Sequence, residues 1–247
     1  MTRQLRRVFD STFGLFFYRD PLSSEDAARW RDEDLKRLRG APGICVEAVG
    51  RLIAAGFQHR IYEYGENGQP LVIKILVPHR LLRLPTPAEA AQDLALVSRY
   101  LSPYAVEPAQ AVELTDGTFV VKQRRLLNLR AVAREDLKKS GLRDQLLDIV
   151  GRNRKMLIES GRSVDFLGRE GQRKSRAALL GLGQTPVISN LGIESTDGSE
   201  RLRVVDTDLE NFRKGGRGLN DLRSALAAWL AFQMNRFLIR RFFGINI

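Results

Sequence analysis

One cysteine, Cys45, and two histidines, His59 and His79, are all that this 247-residue sequence offers to thiol and imidazole chemistry. A lone cysteine excludes an internal disulfide framework and any multi-cysteine zinc or iron–sulfur site, and such sparing use of cysteine fits a reducing, cytoplasmic compartment. Cys45 lies between Ile44 and Val46 and is expected to be a packed, unreactive thiol. Neither histidine has a nucleophile near it in sequence, so a Ser–His–Asp arrangement is not expected. The glycine-rich dinucleotide fingerprint, the Walker-type phosphate loop and the GxSxG elbow are all missing. Long apolar runs are missing as well. The stretch 225–232 is unbroken but far short of the roughly 20 residues that span a bilayer. The apolar patch at 13–18 is too short for a secretory signal and runs into Arg19, Asp20 and Pro21.

What is plentiful is positive charge. Lys and Arg number 40 against 29 Asp and Glu, a net charge of +11, with arginine outnumbering lysine about fourfold. Such a balance favours phosphorylated small molecules, anionic lipid or nucleic acid as partners. The arginines are spread along the chain, without blocks of like charge and without interleaved aromatics, so nucleic acid is the weaker of these readings. A hydrophobic fraction of 43% is ordinary for a globular protein.

Patterning divides the chain into three parts: an N-terminal extension, 1–40, carrying a capped helix ended by Gly40; a segment 41–126; and a mainly helical segment 127–247. In the second part, three β-rich runs ending in PLVIKIL are followed by a helix over AEAAQDLALVSRYL. A hairpin follows, turning at Thr115-Asp116-Gly117. This predicts an antiparallel sheet of about five strands with one helix inserted after the third. In the third part, Leu142, Leu146, Ile149, Val150 and Leu157 recur at helical spacing. A strand pair brackets a turn at 195–199, and the last helix is apolar nearly all round in its middle, which predicts burial inside a bundle or against a second lobe.

Three features carry chemistry by their order. Gly50 and Gly56 flank a strand and turn where backbone could approach phosphate oxygens. Lys74, in Val72-Ile73-Lys74-Ile75, could neutralise those oxygens, or else sit at a strand edge with its ammonium in water. Asn190 and Asp206, with Asp208 close by, would put hard oxygen ligands on one strand pair, as Mg2+ requires; a turn asparagine and a strand-ending aspartate are the plainer reading.

In this order the residues 43–245 resemble the protein-kinase-like fold, and among its members the short kinases of small or lipopolysaccharide-core sugar substrates are nearest in size. The resemblance implies an α+β, two-lobed architecture: a five-stranded antiparallel N-lobe with one helix and a reduced, mainly helical C-lobe. It implies ATP and Mg2+ as cofactors, Lys74 on the phosphates with Glu89 as its helix partner, and Asn190, Asp206 and Asp208 at the metal. It implies an acceptor hydroxyl on a small or membrane-surface substrate, and a location at the inner face of a membrane. The motifs also depart from the family's. Thr185 stands where the catalytic aspartate would precede Asn190 by five residues, and Asp206-Thr207-Asp208 replaces Asp-Phe-Gly. Asp165, directly after the long helix, could supply the base if 169–186 is an insertion; the other reading is that it caps its loop while Phe166 and Leu167 plug the core. A degenerate pseudokinase, or a non-catalytic basic module docking on nucleic acid or anionic lipid, are the alternatives to an enzyme.

Overall fold

The computed structural model describes residues 24–55, 59–76, 85–126, 128–196, 198–205, 209–211 and 219–246. The fold is α+β, and among the described residues it divides into two units, one of 24–95 and 106–126, the other of 96–105 and 127–246.

The first unit is built on an antiparallel sheet of β1 (Val49–Ala55), β2 (His59–Glu66), β3 (Gln69–Leu76), β4 (Ala109–Glu113) and β5 (Phe119–Arg124), in the order β1-β2-β3-β5-β4. Strand β3 is central and buried on both faces from Leu71 to Leu76. One face carries Leu71, Ile73 and Ile75 into a cluster with Tyr62, Val120 and Leu38. Period-two alternation turns Val72, Lys74 and Leu76 to the other face, where Leu76, Phe119 and Val121 pack with Ala90 and Leu94. The last two come from α2 (Pro87–Leu101), which thus covers this side of the sheet.

Helix α1 (Ser24–Leu38) is part of this unit and not a separate extension. Trp30, Asp34 and Leu38, at spacing four, form its buried stripe. Arg31 donates to the carbonyls of Val49 and Gly50, and Arg37 to that of Leu76, so strand-end carbonyls are satisfied by the helix. The strand starts at Val49, later than the apolar texture from Ile44 suggests, because 46–48 form a short 3-10 turn. Cys45 is exposed, a correction to the expectation of core packing: its Sγ lies 3.2 Å from Glu47 Oε2. Apolar neighbours mislead there because the chain turns before it enters the sheet.

The second unit contains α3 (Ser140–Ser160), α4 (Gly168–Leu179) and α5 (Leu219–Phe243). Its strands are β6 (Arg130–Ala133), β7 (Arg162–Val164), β8 (Val187–Thr196), β9 (Ser199–Val204) and β10 (Leu209–Asn211), arranged as β6-β8-β9 and β7-β10. Leu142, Leu146, Ile149 and Val150 enter the core as their spacing predicts, joined by Met156, while Leu157 is half-buried. Phe166, Leu167, Ile188, Leu191 and Leu238 join them. The final helix is buried along one side only among the described residues. Asn235, Leu238, Ile239 and Phe243 face the core, yet Trp229, Leu230, Met234 and Phe237 are exposed. An apolar composition sets how much surface seeks cover, not whether the fold supplies a second layer.

A charge network ties the ends of this unit together. Arg130 pairs with Asp136 at 2.6 Å and with Glu200 at 3.0 Å, and Lys139 also reaches Glu200. Burial alone would raise the Asp136 carboxyl, but hydrogen bonds from Arg130 and the Ala133 N–H outweigh it and hold it below the usual carboxylate range. A carboxyl depressed in the folded state contributes stability at neutral pH that is lost as pH falls through its folded value. The urea midpoint is therefore expected to fall below about pH 4, and Arg130→Gln should flatten that acid limb; a variant whose midpoint falls as steeply as the wild type's would count against the network.

Candidate functional site

The second unit brings together two residues that the sequence holds 25 positions apart. The loop after β7 is stitched to β8: the N–H of Ser189 donates to Leu167 O at 3.0 Å and the N–H of Asn190 to Phe166 O at 3.2 Å. Ser189 Oγ also donates to Leu167 O and accepts from the Gly171 N–H. This pairing carries the Asn190 side chain across the loop, where Nδ2 donates to the backbone carbonyl of Asp165 at 2.7 Å. With Nδ2 so used, Oδ1 is the one atom of that amide suited to a hard cation.

The Asp165 carboxylate is itself held. Its Oδ1 accepts from the Gly168 N–H at 3.1 Å and from Asn235 Nδ2 at 2.7 Å, while Gln172 Nε2 stands 3.5 Å from Oδ2. The capping geometry and the buried positions of Phe166 and Leu167 are both present. Both readings of Asp165 use this carboxylate, which these bonds hold in one orientation. Behind the loop, Asn153 accepts from the Val164 N–H and donates to Ser163 Oγ, which fixes the strand leading into Asp165.

Asn235 was not singled out from the sequence. Its signal was an amide in the apolar run of α5, two residues after Gln233 and seated on the stripe shared with Leu238 and Ile239. It is 2% exposed, and its Oδ1 is buried with no hydrogen-bond partner among the described residues. An orphaned acceptor of this kind costs about 1–3 kcal/mol. Of these groups the Asn190 Oδ1 is the hard oxygen suited to Mg2+, while Asn235 holds the Asp165 carboxylate through its Nδ2. Among the described residues no cluster of three or more Asp, Glu, His or Cys exists to hold a metal by itself. Asp206 and Asp208 lie outside the described residues, as do Gly56 and His79. The flanks of the former pair are placed: the Val205 N–H donates to Asn190 O at 2.9 Å, and Leu209 pairs with Val164, next to Asp165.

In the first unit, Lys74 is 7% exposed in the centre of the sheet, between Ile61 and Val121 on the neighbouring strands. It lies on the face that α2 covers, not at an edge. Glu89, the expected partner, forms a capping box at the start of α2: its carboxylate accepts from the Thr86 N–H at 2.9 Å and Thr86 Oγ1 accepts from the Glu89 N–H. The buried acid of that helix is Asp93, also 7% exposed and three residues from Ala90, hence on the sheet side. Gly50 sits in β1, where an added Cβ would come 3.1 Å from the Cβ of Glu63. Its small size thus admits the cross-strand neighbour.

No protein-family model and no curated protein matches this chain.

Proposed function

We propose that this chain is a kinase-like nucleotide-binding protein that takes ATP with Mg2+ and transfers phosphate to a hydroxyl of a small or membrane-surface acceptor. The observation that carries the reading is the Asn190 amide donating to the Asp165 backbone carbonyl at 2.7 Å, which ties the amide to the loop that bears the Asp165 carboxylate. Further support comes from the sheet order β1-β2-β3-β5-β4, with α2 inserted between β3 and β4 and a buried lysine on β3. That is the connectivity a kinase-like N-lobe requires, and the order β7, Asp165, Asn190, strand pair, Asp206 is that of its metal-binding half.

In this reading Lys74 neutralises phosphate oxygens. Asp93, the buried acid on the covered face, is the partner we assign to it in place of Glu89, since a buried ammonium needs a counter-charge. Asn190 and Asp206 hold Mg2+, which when bound draws charge from the phosphate oxygens. Asp165 takes the acceptor's proton as the acceptor oxygen bonds to the γ-phosphorus and ADP leaves. Asn235 and the Gly168 N–H fix the carboxylate for that task. Helix α4 lies in the loop between base and metal amide, which explains why the two are 25 residues apart instead of five.

Thermal unfolding with Mg-ATP tests this. At about 100 times the dissociation constant, ligand should stabilise the wild type by about 2.7 kcal/mol. Lys74→Met should abolish that shift, and Asp165→Asn should keep it while losing transfer. An unshifted wild type would end the nucleotide reading. A shift without transfer in the wild type would make the protein a pseudokinase.

A further inference from the structure

We infer that the outward face of helix α5 docks on a membrane surface bearing anionic lipid. Leu230, Met234 and Phe237 recur at spacings of four and three, so they share one stripe, opposite the buried Asn235, Leu238 and Ile239. All three are 41–54% exposed, and Trp229 beside them is 51% exposed. Four large apolar side chains on one helix face are costly to leave in water. Arg241 lies on that stripe, and Arg240 and Arg236 flank it on the side of Trp229; all three are exposed.

Charge selects the occupant. A second copy of the chain, docked on the same face, would cover the stripe but supply no carboxylate to the three arginines, since 222–246 contains no Asp or Glu. A nucleic acid would pair with the arginines but leave Leu230, Met234 and Phe237 uncovered. A bilayer interface answers both: indole and aliphatic groups enter the boundary between headgroups and acyl chains, while guanidinium groups stay among lipid phosphates and carboxylates. Among the described residues no helix is long and apolar enough to cross a membrane, so the contact is one of lying on the surface. It does not depend on the nucleotide reading.

The test is sedimentation of the full chain with phosphatidylcholine vesicles, with and without phosphatidylserine, alongside tryptophan emission. The wild type is expected to partition onto the anionic vesicles and to shift its emission to the blue. Trp229→Phe should remove the shift, since Trp30, the other tryptophan, is buried in the first unit. The triple change of Arg236, Arg240 and Arg241 to Gln should weaken partitioning about a hundredfold, near fivefold per arginine. Leu230→Ser with Phe237→Ser should weaken it at least tenfold. Both variants alter exposed positions, and an unchanged melting curve verifies their fold. Equal partitioning onto neutral and anionic vesicles, or none onto either, overturns the proposal. So does a wild-type dimer in sedimentation velocity that Phe237→Ser dissolves. Lipid binding kept by the α5 variants and lost on Phe16→Ser with Phe17→Ser would overturn it too, by moving the contact to the N-terminal patch.

Discussion

Gly168→Ala is expected to destabilise the protein by about 2–4 kcal/mol and, with it, to remove the stabilisation by Mg-ATP. Gly168 has φ of 59°, a left-handed conformation that side chains rarely adopt, and an added Cβ would come 2.2 Å from Asn190 Oδ1 and 2.6 Å from Ser189 Oγ. Neither neighbour can retreat cheaply. Ser189 Oγ is tied to Leu167 O and the Gly171 N–H, and moving the Asn190 amide breaks its bond to the Asp165 carbonyl. The strain of the backbone and the loss of that hydrogen bond therefore add. Urea unfolding gives the first effect, and the thermal shift with Mg-ATP gives the second. An alanine variant that unfolds with the wild type and still responds to Mg-ATP would show that the loop is not built around this contact.

Asp34→Ala is the second large effect, expected to cost about 3 kcal/mol. Asp34 is 2% exposed and accepts from the Tyr62 hydroxyl at 2.7 Å and from Arg60 Nη1 at 3.1 Å, while Arg60 stacks 4.5 Å from the centre of the Trp30 ring. Burial, followed by the bond to Asp34, pushes the Tyr62 hydroxyl well above the usual phenol range. Removing the carboxylate leaves Arg60 and Tyr62 with desolvated donors; Glu33, 3.6 Å from Arg60, compensates only part of the charge. Tyr62→Phe keeps the Arg60–Asp34 pair and should cost only about 1 kcal/mol. If the two variants unfold at the same urea concentration, the carboxylate is not what clamps α1 to the sheet.

The comparison of sequence with structure follows the range of the forces involved. Local patterns could be read where they depend on neighbours. The Thr115-Asp116-Gly117 turn, the β-branched run 71–76 and the heptad-like spacing of Leu142, Leu146 and Ile149 each fix an element through backbone conformation and side-chain periodicity. Asp165 drew notice by its place after a long helix, but the strand β7 that stands between them was not legible. Cys45 and the outer face of α5 could not be read, because an apolar run does not say whether a second layer will cover it. Nor could the sequence say which acid of α2 caps the helix and which is buried. Thr86 takes Glu89 into a cap, and the helix's rotation buries Asp93 four residues on.

By itself the sequence determined the sheet of five strands with its inserted helix, the long helices, the strand pair about 195–199 and the excess of positive charge, since each follows from patterns along the chain; the short strands β6, β7 and β10 did not show. Only the tertiary structure decided that Asp165, Asn190 and Asn235 meet, that Lys74 is buried under a helix, and that α5 keeps one apolar face bare. Those outcomes rest on strand pairing and packing between residues far apart in sequence, whose geometry no local pattern encodes.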